Sequence, residues 1–144
     1  MKAFATLGAI VLLFTLSQTG QAATNDGILK YFNDTALKVK ATEDPVQKRE
    51  ILDKSLRNMS MVLDKVHGLP LGSKDDHVGL VWLITSLQER RDELAGKNGL
   101  ERVSDAQLND FSDYVVQDMQ QAPNTITISV VTALLILIIL ILIL

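Results

Sequence analysis

No cysteine occurs in the 144 residues. Disulfides, zinc–thiolate sites, thiol nucleophiles and the cysteine-linked lipid of a bacterial lipoprotein are therefore excluded, and stability has to come from packing. Histidine is nearly as scarce, with His67 and His77 the whole supply. No serine stands in a G-x-S-x-G frame and no glycine-rich phosphate loop is present, which removes the usual nucleophile turn and nucleotide cradle. An excess of positive charge is missing too, since 14 Lys and Arg face 17 Asp and Glu. Lys48, Arg49, Lys54, Arg57 and Lys65 have acids interleaved, the pattern of a solvated helix face and not of a phosphate-binding stripe, so nucleic acid is not an expected partner. No repeat with a period of about 20–50 residues is visible, which argues against a solenoid.

Charge is also sparse at both ends of the chain. Met1 and Lys2 precede a 13-residue, mostly apolar run from Phe4 to Leu16, and Ser17 to Ala22 is polar with small residues. That order is the layout of a secretory signal peptide, residues 1–22, with Gly20 and Ala22 at the positions a signal peptidase inspects. Cleavage is expected after Ala22, or one residue later after Ala23. The alternative, an uncleaved anchor, is disfavoured because a span takes about 20 apolar residues. Removal of Lys2 leaves 13 basic residues against 17 acidic, net −4.

The other end, residues 124–144, holds the 19 uncharged residues Ile126 to Leu144, and from Ala133 onward only Ala, Leu and Ile occur. At about 1.5 Å per residue such a helix is roughly 28 Å long, the thickness of a bilayer's hydrocarbon core. A segment apolar on every face suits lipid, and a transmembrane helix is expected. Its N-terminal flank carries Glu101, Asp105, Asp110, Asp113 and Asp118 against Arg102 alone. An acidic flank fits the non-cytoplasmic side, and the signal peptide gives the same orientation. Ser129 and Ala133 form a small-xxx-small pair that permits self-association in lipid. The absence of a polar residue after Thr132 argues against an ion path. A lipid-anchored protein with a processed tail is the alternative, but Ser112 has the large Tyr114 two places on, and Asp118 is followed by Met119 and Gln120.

Between the ends, residues 23–123, the apolar spacing predicts four helices. The first, about Asp26 to Ala41, has the face Ile28, Leu29, Phe32, Ala36 and Val39. Asp44, Pro45 and Gln47 form a helix start, and Leu52, Leu56, Met59, Leu63 and Val66 step by 4, 3, 4, 3, a seam for lengthwise packing. Glu50 with Lys54 and Asp53 with Arg57 are spaced to pair, and His67 with Gly68 closes the helix. A third helix, about Lys74 to Ala95 behind the cap candidate Ser73, is apolar nearly all round at Leu80 to Ile84 and holds the sole Trp82, which predicts the most buried helix. A strand over Leu80 to Thr85 would lack a partner. Gly96, Asn98 and Gly99 stop it. Ser104 and Gln107 open the fourth helix, with Val103 placed to staple onto Leu108, the face Leu108, Phe111, Val115, Met119 and Ala122, and Pro123 as its end. The sequons Asn33-Asp34-Thr35 and Asn58-Met59-Ser60 both fall inside helices.

Candidate chemistry is thin. His67, Asp75, Asp76 and His77 could converge on a divalent metal if the loop between the helices folds back, although no established ligand spacing such as H-E-x-x-H is present. Capping and solvated charge are the competing explanation. Haem would need axial ligands from two of Met59, Met61 and Met119, or from His67 at a helix end, and Met59 and Met119 sit in core stripes. No acid falls inside an apolar stripe, where burial would mark it as functional. The expectation is an all-α protein: a signal peptide, a small extracytoplasmic four-helix up-and-down bundle, or two open hairpins, and one C-terminal transmembrane helix. It is expected not to be an enzyme and to have no cofactor. It should bind the bilayer through Ile126 to Leu144 and have a structural or protein-interaction role in the cell envelope, the bacterial periplasm or cell surface. A small metal- or haem-binding bundle is the alternative of a different class.

Overall fold

In a computed structural model, residues 21–70, 74–125 and 130–143 are described, with side chains from residue 27 to 121 (71–73 apart) and from 132 to 143. Every regular element among them is helical, as the spacing of apolar residues implies. The tightest link follows the first helix, α1 (Gln21–Ala41). There the Thr42 N–H donates to Val39 O at 3.2 Å, and Asp44 begins α2 (Pro45–His67) with Pro45 in the first turn. Asp44 Oδ1 accepts the Val46 N–H at 3.1 Å, satisfying one orphan donor of the helix start. Gly68 closes α2 in right-handed geometry, φ −75°, and not in the left-handed conformation usual for a terminal glycine. Its N–H still donates to Asp64 O at 3.0 Å, so the helix winds down instead of turning sharply.

Next come α3 (Lys74–Ala95), a 3₁₀ turn Asp105–Gln107, α4 (Leu108–Thr125) and α5 (Val130–Ile143). Left-handed backbone ends α3: Gly96, Asn98 and Gly99 have φ of 73°, 55° and 79°. The Ser104 N–H donates to Gln107 Oε1 at 3.4 Å, the reach-back half of a capping box, and Val103 and Leu108 are both buried beside it. Pro123 does not end α4, which continues to Thr125. Residues 1–20, Ser73 and Ser129 lie outside the described residues, so the signal run and one half of the small-residue pair do too; the expected cleavage points fall in the first turn of α1.

Side-chain bonds show the direction of each helix. Arg49 meets Leu94 at one end of the α2–α3 pair and His67 meets His77 at the other, which makes the two antiparallel. Lys40 and Lys48 reach Asp113 and Asn109, so α4 starts at the end where α1 stops and α2 begins. The main helix pairs are α1 with α4, α2 with α3, and α1 with α2, while α5 lies against both α1 and α2. The bundle therefore has a fifth member. The described part of the apolar tail packs on the domain instead of standing apart from it. Among the described residues no helix is long and apolar enough to cross a membrane.

The seam of α2 is fully used: Leu52, Leu56, Met59, Leu63 and Val66 are all buried, and they join Phe32, Val39, Leu83, Leu87, Leu108 and Phe111 in one core. Burying each large apolar side chain is worth about 1.5–3 kcal/mol. The central helix is thus α2. The expectation that α3 is the most buried is corrected: Val78 and Val81 are 67% and 49% exposed and Trp82 is only partly covered. Apolar residues all round α3 exceed what its main neighbour, α2, covers. Between α1 and α2 a polar clasp forms. Tyr31 Oη donates to Ser55 O at 2.9 Å, and Thr35 Oγ1 lies 3.0 Å from both Tyr31 O and Ser55 Oγ.

Candidate functional site

The features that packing alone does not explain gather at the end of the bundle where α2 stops and α3 starts. Val66 is buried, and beyond it the His67 and His77 rings meet edge to face with centroids 5.4 Å apart. Folding has therefore brought together the two histidines that ten residues of sequence separate. Asp75 is exposed, whereas Asp76 is 2% exposed and turned inward. Its Oδ2 accepts a hydrogen bond from Thr132 Oγ1 of α5 at 3.2 Å. Of the four candidate metal ligands, the histidines are neighbours and Asp76 points to the tail. Among the described residues no group of three or more His, Asp or Glu side chains is placed to hold a metal.

The tail's seat is built from small and polar positions. Thr132, Ala133, Ile136 and Leu140 are buried, a spacing that puts one face of α5 on the domain. Gly27 of α1 lies directly beneath Leu137: a Cβ there would stand 3.0 Å from Leu137 Cγ and still closer to its methyl. Glycine is thus what lets α5 approach α1. The opposite face stays in water, with Leu134, Ile138, Ile141 and Leu142 exposed by 52%, 52%, 71% and 78%. Ala133, half of the expected self-association pair, is occupied by the domain in this arrangement.

The expectation that no acid sits in an apolar stripe is corrected by Asp76 and by Asp92, 8% exposed on α3. Asp92 is fully engaged: Gln88 Nε2 donates to Oδ1 at 3.0 Å, Asn98 Nδ2 to Oδ2 at 2.7 Å, and the Lys97 N–H to its backbone O at 2.8 Å. It ties the left-handed turn to the helix and is structural. Asp76 follows Asp75 at a helix start, where capping is the expectation; in the fold it is buried and bonded to Thr132 of α5. The hydrogen-bond partners of the two acids include local polar residues and a distant tail, neither of which periodicity registers.

At the opposite end Arg49 of α2 donates to Leu94 O at 2.8 Å and to Val103 O at 2.7 Å, and pairs with Asp105 at 3.0 Å. An open hollow of about 380 Å³ lies beside it, walled by Val46, Glu50, Asp53, Ala95 and Arg102. Asp53 is itself paired with Arg57. Arg90 of α3 crosses to α4 with its guanidinium 4.7 Å over the Tyr114 ring and 3.4 Å from Glu93. The haem candidates divide in the same way: Met59 and Met119 are core, and Met61 is exposed. No family model matches the chain, and no characterised protein or solved structure matches it either.

Proposed function

We propose that the protein is a membrane-anchored helical module, its domain outside the cytoplasm and its residues 126–144 held in the bilayer, with a structural or protein-interaction role in the cell envelope and not a catalytic one. One observation carries this reading: 19 consecutive residues without a charge, of which Leu134, Ile138, Ile141 and Leu142 remain exposed even with one face of α5 on the domain. A row of that kind is costly in water, and lipid is the solvent that suits it. The run Phe4 to Leu16 supports export, and the acidic flank of α4 supports the orientation. Alkaline carbonate washing of membranes from expressing cells tests the anchoring. The full chain should stay in the pellet, with intact mass retaining Leu144, and a chain ending at Thr125 should appear in the supernatant. Release of both alike would refute the anchor.

A second reading, a weak divalent-metal site, is favoured by the 5.4 Å approach of His67 and His77. Two neutral imidazoles suit zinc, copper or nickel. Zinc should then raise the thermal midpoint of the protein but not that of His67→Ala, and an equal response of the two would dismiss the site.

A further inference from the structure

We propose that α5 has two alternative seats, the surface of its own bundle in water and the bilayer when one is present, so that the protein exchanges between a tail-docked and a tail-inserted form. The inference rests on the anchoring reading for its second seat, while the first seat is seen directly. Docking covers Thr132, Ala133, Ile136 and Leu140 and leaves the four residues of the other face wet. The bilayer covers every face. Docking is therefore better than full exposure and poorer than insertion, which is the ordering an exchange needs.

The seat carries a polar contact as well. It contains a buried carboxylate, Asp76, held to the tail by Thr132 at 3.2 Å. The near contact of Gly27 and Leu137 adds shape but no polar bond.

The absence of native cysteine makes the docked form easy to trap. Leu137 Cγ stands 3.0 Å from an ideal Cβ at Gly27. The Cβ of residue 137 is one bond of about 1.5 Å from that atom, so the two Cβ atoms are within about 4.5 Å, inside the range for a disulfide. In the full chain carrying Gly27→Cys and Leu137→Cys, oxidation in detergent-free buffer should close the bridge. Flotation with phosphatidylcholine vesicles should then fall about tenfold and return on reduction, because a locked seat removes the insertion-competent population. Failure of the bridge to form, or equal flotation of oxidised and reduced protein, would overturn the exchange while leaving the anchor intact. A reduced variant that does not float would overturn both. Gly27→Leu supplies a second arm that needs no bridge. Crowding the seat should raise the vesicle-bound fraction at limiting lipid, and a lower fraction would contradict the proposal.

Discussion

Arg49 does at one position what the loop between α3 and α4 cannot do for itself. Its guanidinium satisfies Leu94 O and Val103 O, the carbonyls on either side of that loop, and reaches Asp105 beyond them. A lysine has one point charge and no planar fork to serve three acceptors. Arg49→Lys should therefore lose stability, by about 1–2 kcal/mol, and Arg49→Ala about 2–3 kcal/mol, in urea unfolding followed by Trp82 fluorescence. Equal midpoints for all three proteins would show that the loop does not depend on this side chain. Tyr31 makes a prediction in pH. Burial raises its phenol above the ordinary 10.0, against the opposing hydrogen bonds to Ser55 and Asn58. The folded state then holds this proton more tightly than the unfolded chain does. That contribution is complete below the unfolded value and is lost as pH rises through the folded one. Tyr31→Phe has no proton to lose, so its stability should fall less steeply above about pH 10. Parallel curves would contradict the assignment. Neither residue was legible as important in the sequence, because their partners are backbone carbonyls far along the chain.

At the scale of elements, the heptad of α2 was legible to the residue, since a side chain that faces a neighbour on every turn has to be apolar at every turn. Leu56 and Met59 are 1% and 0% exposed, whereas Met61, two places on and round the helix, is 41% exposed. Met59→Ala should cost about 2–5 kcal/mol and Met61→Ala close to nothing, measured by the same unfolding. The stop of α3 was legible as well, because glycine and asparagine tolerate the left-handed backbone seen there. The two glycines differ in surroundings. A Cβ at Gly96 would meet Arg102 Cβ at 2.7 Å, and one at Gly99 would meet nothing. Both substitutions strain φ, but Gly96→Ala adds a collision. It should lower the thermal midpoint by several degrees more than Gly99→Ala, and the reverse order would disprove the packing described for the turn. Helix α3 was misjudged because hydrophobicity all round a helix shows that it wants cover, not that neighbours exist to supply it.

For the whole molecule, the sequence conveyed the class and the helix order, and missed the fifth packed helix. The tail is apolar on all sides, so nothing in its own pattern marks which face meets the domain. The marks are elsewhere, in Gly27 and Asp76, and they make sense only once α5 is in place. The central claim is that residues 126–144 belong in lipid. Single cysteines carrying a polarity-sensitive dye at Ile136, buried against the domain, and at Ile138, open to water, test it most directly in this cysteine-free chain. On addition of phosphatidylcholine vesicles to the full chain, the dye at Ile138 should shift strongly to the blue, and the dye at Ile136 should lose its protein contacts and become accessible to lipid-borne quenchers. A spectrum unchanged at Ile138, with neither position reached by those quenchers, would contradict the account.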